Sequence, residues 1–282
     1  MLELGIGADI LRGVGWIVRL LFLAAIVYAL WSGGNWKRKL LKVTLVVLLF
    51  STPLWPGIGE RIRYERKYKV AKVIFDQRCK TAGERIYKRV DNVEGVLLLN
   101  IRERSKSSDR SDPNWPDAAL ANERYQEGYV ASFLQWEHHE DKRSPRGYLN
   151  YAPSDLPGYG YVDVRGDDGL LYRYTLDERG NPDSRKLSKS FLNGKPARYA
   201  VSFVNMIDPG DREYWIAGTT VTVTDVQTKE VLAHSTWYAM DPGQGSTAGA
   251  RAPWGFARTC PELKGWVGAP TRMFVDQVLK PK

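Results

Sequence analysis

Two apolar runs near the amino terminus limit what this chain can become more than any other feature. Val14 to Trp31 (VGWIVRLLFLAAIVYALW) has the length of a membrane helix and is interrupted only by Arg19, which can snorkel from near one end of a tilted span. Val43 to Ile58 (VTLVVLLFSTPLWPGI) is short for a span and contains Pro53 and Pro56, so it crosses a bilayer only if Leu40 and Leu41 join it and Lys42 snorkels. No small-residue cleavage pattern follows the first run and the second comes soon after, which favours a membrane hairpin, with its loop at Ser32 to Leu40, over a signal peptide. Trp31, Trp36 and Trp55 stand near the ends of the runs, where aromatic belts lie. The expected organisation is an anchor over residues 1–60, with apolar segments at about 14–31 and 40–58, followed by one domain over residues 61–282.

Charge alone does not orient the hairpin. Lys37, Arg38 and Lys39 in the loop ask to be cytoplasmic, whereas Arg61, Arg63, Arg66, Lys67, Lys69 and Lys72 after the second run ask for the reverse. A large domain can be translocated despite flanking charge, and the cysteine pair described next favours a periplasmic carboxyl-terminal domain. The formal net charge of +9 is concentrated in those same segments. Beyond them the charges are mixed, as on an ordinary solvated surface, so nucleic acid is not an expected partner.

The chain has two cysteines, Cys79 and Cys260. In a reducing compartment both would be buried thiols; in an oxidising one a single bridge would tie the start of the domain to its end.

From Tyr64 the positions Tyr64, Tyr68, Ala71, Phe75, Cys79 and Ala82 recur at steps of three and four, a helical stripe that stops at Gly83. Alternation around Ile86 to Val90, a turn at Asp91-Asn92 and the apolar run Val96 to Ile101 predict strand, turn, strand. Arg104 to Asn114 is a polar loop, and Pro116 to Glu137 reads as one helix. Strands are expected at Tyr148 to Tyr151, Tyr159 to Val164, Leu170 to Leu176, Ala197 to Asn205, Arg212 to Thr224 and Val231 to Met240. Hairpin turns fall at Arg165 to Gly169 and Asp225 to Glu230, and the long strands of the second hairpin should form the sheet centre. Thr271 to Leu279 predicts a closing helix. The expected fold class is α+β, with a mostly antiparallel sheet and a few helices, preceded by the membrane hairpin.

No residue set carries a catalytic signature. His138-His139-Glu140-Asp141 is the one cluster of metal-ligand type, but it lacks the HExxH spacing and reads as a solvated turn. Asp163 to Gly169 lacks the alternation and distal glutamate of a calcium loop. Gly243 to Gly249 has no lysine before Ser246-Thr247, so it is not a phosphate-binding Walker loop, and neither G-x-S-x-G nor C-x-x-C occurs. Tyr214, Trp215, Trp237 and Tyr238 read as strand residues of the core; as a nucleic-acid stacking platform they lack an interleaved basic row. The chain is therefore expected to be no enzyme, to take no cofactor, metal or small-molecule substrate, and to act by binding.

The residues FDQRCKTAGERIYKRVDNVEGVLLLNIR (Phe75 to Arg102), PNWPDAALANE, GYVDV and ARTCP resemble the membrane-anchored or lipoprotein immunity proteins encoded beside type VI secretion lipase effectors in Gram-negative bacteria. The resemblance covers most of the domain and omits the anchor, where many such proteins carry a lipoprotein signal instead. It implies a periplasmic domain, a bridge between Cys79 and Cys260, and stoichiometric binding to a toxin. The expected role is an inner-membrane protein whose periplasmic domain neutralises a (phospho)lipase effector; the alternative is a structural or accessory part of an envelope or secretion complex. Tethering an inhibitor at the surface under attack raises its effective concentration. The polar loops Arg104 to Asn114 and Asp241 to Gly249 are the expected recognition elements.

Overall fold

The computed structural model describes residues 5–52, 55–104, 112–134, 158–166, 168–176, 187–243, 253–263 and 269–282. The chain divides into two units, Met1–Lys67 and Tyr68–Lys282, with the boundary inside one helix.

In the first unit, α1 (Gly5–Trp31) contains the window Val14–Trp31, among the described residues the one helix long and apolar enough to cross a membrane. Helix α2 (Trp36–Ser51) takes in Leu40 and Leu41 but ends at Ser51 after 16 residues, short of the roughly 20 a span needs. The second apolar run is thus not one continuous helix, because α3 (Trp55–Cys79) starts within it. Phe22 of α1 meets Phe50 of α2 edge-on at 5.3 Å, and Lys42 Nζ donates to Ser32 Oγ at 2.8 Å.

The second unit is α+β. Its main sheet runs β1 (Gly83–Ile86), β9 (Glu230–Met240), β8 (Ile216–Asp225), β7 (Tyr199–Met206), β3 (Gly95–Leu98), β4 (Tyr161–Arg165), β5 (Leu171–Leu176) and β6 (Leu187–Phe191). Strand β10 (Arg258–Cys260) pairs with β9 beyond β1, and β11 (Leu279–Pro281) pairs with β2 (Val90–Val93) in a separate parallel ribbon. Most pairings in the main sheet are antiparallel. The exception is its middle, where β3 lies parallel to both β4 and β7.

The sheet centre is therefore this four-residue strand and not the long β8–β9 hairpin. Every residue of β3 is buried, as the unbroken run GVLL requires when both faces are covered and both flanks paired. Parallel neighbours also need long crossovers. The one from β3 to β4 carries a 3-10 turn (Pro116–Leu120) and α4 (Glu127–Leu134).

Those two elements replace the single helix expected over Pro116 to Glu137. The break is set by a contact from elsewhere in the chain: Gln126 takes a positive φ of 49°, and its N–H donates to Arg102 O at 2.7 Å instead of continuing a helix. The strand expected from Arg212 is also shorter, because α5 (Pro209–Glu213) precedes β8; Asp208 caps it by accepting from Gly210 N at 2.8 Å. The closing helix α6 (Pro270–Val278) forms where expected.

One sheet face packs beneath α4 and α6 in a core that includes Val96, Leu98, Val162, Val221, Phe133 and Phe274. Buried Arg272 of α6 joins those helices by donating through Nη1 to the carbonyls of Ser132 (2.9 Å) and Phe133 (2.7 Å). The opposite face receives the end of α3, whose Ala71 and Phe75 pack with Ile216, Tyr238 and Met240. Cys79, the last residue of α3, is bonded to Cys260, the last of β10, with Cα atoms 5.6 Å apart. The expected strand at Tyr148 to Tyr151 lies outside the described residues.

Candidate functional site

Where β3 ends, the chain from Leu99 continues beside β7, with Leu99 N–H donating to Val201 O at 2.9 Å, and between residues 99–104 and the end of β4 a groove of about 810 Å³ opens. The second wall is the β4–β5 hairpin. Its turn is closed by Gly166 N–H donating to Leu170 O (2.8 Å) and Gly169 N–H to Gly166 O (2.9 Å), and Gly169 supplies the positive φ of 78°. Asp168 fastens the turn, accepting from Leu170 N at 2.9 Å and from the Tyr172 hydroxyl at 2.5 Å. That hydroxyl holds the Asp168 carboxyl below its ordinary range and in turn pushes the Tyr172 phenol up.

Alternation along β5 places Tyr172 and Tyr174 on one face, opposite Val164 and Val162 of β4. Lys189 of β6, the register partner of Tyr174, lays its ammonium over the Tyr172 ring at 3.9 Å and 5.8 Å from that of Tyr174. The other face of the same strands is structural. There Asp163 takes both ends of the Arg173 guanidinium (2.8 and 2.9 Å) and the Ala197 N–H (2.8 Å), while Arg173 stacks on Tyr161 at 3.7 Å.

The strip from Asn100 to Arg104 is held from beneath. Asn100 pairs with the Phe203 backbone through both amide atoms, at 2.8 and 3.0 Å, which extends the β3–β7 ladder by one side chain. Arg102 is 2% exposed, pairs with Asp117 and stacks its guanidinium on Phe203 at 4.1 Å. Asp117 also accepts from Asn205 Nδ2 (2.9 Å), and Asn205 Oδ1 accepts from Thr219 Oγ1 (2.8 Å). Nearby Glu123 accepts from Thr271 N at the start of α6 (2.9 Å) and from Arg124 N (3.0 Å). Burial pushes the Glu123 carboxyl up, a shift that the charge of Arg102 opposes.

The buried network thus fixes Arg102 while the next two residues, Glu103 and Arg104, are exposed at the groove. Across from them stands exposed Arg165. None of these three makes an ion pair or a side-chain hydrogen bond with the described residues. The groove therefore offers an aromatic floor, a lysine and uncommitted charges of both signs. No protein-family model, curated protein or solved structure matches the chain.

Of the residues singled out in the sequence, Cys79 and Cys260 are brought together. Asp163 and Asp168 are separated, one on the structural face of β4 and the other fastening the hairpin turn. Among the described residues no three His, Cys, Asp or Glu side chains are placed to hold a metal ion. His138 to Asp141 lie outside the described residues, as does the polar loop from residue 105 to 111. The Gly-rich loop is described only to Gly243, whose N–H donates to Asp241 at 2.9 Å.

Tyr214 and Trp215 precede β8 instead of lying on it, Trp215 with a positive φ of 61°. On β9, Trp237 packs against Phe274 at 5.9 Å and Tyr238 faces the α3 side. Tyr172, Tyr174 and Lys189 were not legible as site residues. The one signal in the sequence is the Tyr-x-Tyr alternation, which any half-buried strand can show.

Proposed function

We propose that this chain is a membrane-anchored binding protein that captures a secreted (phospho)lipase effector of a type VI secretion system and neutralises it by stoichiometric complex formation, with no chemistry of its own. The observation that carries this reading is the groove at the ends of β3 and β4: wide, polar at its rim, and presenting Glu103, Arg104 and Arg165 without side-chain partners among the described residues. A small-molecule pocket is more enclosed and more apolar, whereas unpaired rim charges around an aromatic floor suit a protein surface. The apolar helix α1 and the disulfide are consistent with an anchored domain in an oxidising compartment. The finer arrangement we favour is a hairpin in the inner membrane with the carboxyl-terminal domain in the periplasm. The resemblance supports the choice of target, since its longest segment ends at Arg102, immediately before the residues that enter the groove.

The test places a photo-crosslinking residue at Arg104 and, separately, at Lys189 in cells that carry the type VI system and its effectors. Crosslinks to a secreted lipase support the reading. Recovery of only envelope or secretion-machine subunits would establish the alternative role as a structural or accessory component and overturn this one.

A further inference from the structure

Helix α3 carries two stripes. The inner one, Tyr68, Ala71 and Phe75, belongs to the packed face described above. The outer one is Trp55, Ile58, Ile62, Arg66, Lys69 and Val73, also at steps of three and four, which at 3.6 residues per turn lies roughly opposite the inner stripe. Its four apolar members are between 45% and 58% exposed. Arg63 and Lys67 flank it on one side and Arg61 and Lys72 on the other, while the stripe ends at Asp76. Of the two acidic residues before Asp76 in α3, Glu60 and Glu65, the second is paired with Arg61 at 3.1 Å.

We propose that this outer face of α3 lies on an anionic lipid surface, with Trp55, Ile58, Ile62 and Val73 in the headgroup boundary and the flanking basic side chains on lipid phosphates. The composition decides between occupants. Protein interfaces are depleted in lysine at their centres, whereas an interfacial helix combines tryptophan and aliphatic side chains with Lys and Arg that snorkel outward. Charge complementarity agrees, because a basic segment directly after an apolar anchor is drawn to anionic lipid, each Lys or Arg shifting the equilibrium by about fivefold. Contact of this kind would hold the following domain close to the bilayer that a lipase attacks. The inference rests on membrane attachment but not on the identity of the captured protein.

The experiment uses the full chain with Ile62→Cys, and separately Val73→Cys, labelled with an environment-sensitive fluorophore; the two native cysteines are consumed in the disulfide. Each is reconstituted into vesicles of phosphatidylcholine alone or of equal parts phosphatidylcholine and phosphatidylglycerol, and flotation is scored in parallel. The expected result is a blue-shifted emission, quenched by brominated lipid, in the anionic vesicles. It should reverse in about 1 M salt, where the Debye length is about 3 Å. Arg63→Gln, Arg66→Gln, Lys69→Gln and Lys72→Gln should each reduce the shifted population by about fivefold. Equal emission in neutral and anionic vesicles, from protein that floats with both, overturns the inference and leaves anchoring intact. A shift seen only on adding a protein partner overturns it in favour of a protein-covered face. Failure to float with either vesicle overturns both the anchoring and the inference.

Discussion

Cys79 ends α3 and Cys260 ends β10, and their bond joins points 181 residues apart in the chain, with Cα atoms 5.6 Å from each other. Strand β10 has three residues and α3 reaches the sheet with few buried side chains, so covalent closure carries much of the attachment of both. Loop-closure entropy for so long a loop gives about 5 kcal/mol as an upper figure, and native bridges commonly contribute about 2–5 kcal/mol. Cys79→Ser or Cys260→Ser should lower the thermal midpoint markedly, and reductant should do the same to the native protein. An unchanged midpoint, with two free thiols titrated in protein from native membranes, would contradict the bridge.

Arg102 should be the most sensitive residue near the groove. Arg102→Ala leaves Asp117 and Glu123 without their buried cation and removes the stack on Phe203. Loss of one partner from a buried ion pair typically costs about 3–5 kcal/mol. Urea melts should show that loss. Arg102→Met, which keeps volume but not charge, should be nearly as damaging if the charge is what matters.

Stability should depend on pH through two carboxyls with opposite signs. Asp225, which accepts from Arg198 and from two amides of its own turn, is held down to about 2. Its contribution is fully present above the unfolded aspartate value of about 3.9 and is lost as pH falls toward 2. Glu123 is raised by burial, so its ionised form is the less stable one in the fold: stability declines as pH rises above the ordinary glutamate range and through the raised value. Asp225→Asn should flatten the acid limb and Glu123→Gln the opposite one. Melts across pH with each variant separate the two.

Gly95 starts the central strand where no side chain fits. A Cβ there would lie 2.3 Å from the Tyr161 ring, which is backed by the Arg173 guanidinium and cannot simply swing away. Gly95→Ala should therefore destabilise by about 1–3 kcal/mol, the usual range for overpacking, measured by chemical denaturation.

Much of this fold was legible because local rules and tertiary packing agree. The Tyr68-Ala71-Phe75 stripe, the Asp225 to Glu230 turn and the Thr271 helix all follow from spacing and turn chemistry alone. What escaped was set at a distance. Nothing in Gly95–Leu98 says that two parallel neighbours will flank it, because those partners are Val162 and Ala200 and their register is fixed by crossovers. The break at Gln126 depends on the Arg102 carbonyl, 24 residues earlier in the sequence. Strand β6 gives little signal in the sequence, since Lys189 interrupts its Leu187–Phe191 face and every residue but Leu187 is exposed; it is a strand by virtue of pairing with β5. The groove shares that origin: Arg104, Arg165 and Lys189 come from separate parts of the chain and meet only when the sheet is assembled.

Titration of lipase activity separates neutralisation from every structural reading. The purified full chain is added in increments to the secreted lipase recovered by crosslinking at Arg104 or Lys189, in mixed lipid and detergent, and residual hydrolysis is followed. Neutralisation by complex formation predicts a linear fall to zero at one equivalent, and a right-shifted curve when Arg104→Glu and Lys189→Glu are combined, since like charges at a rim slow association and weaken the complex. Hydrolysis that continues undiminished at excess chain would contradict the proposed function outright.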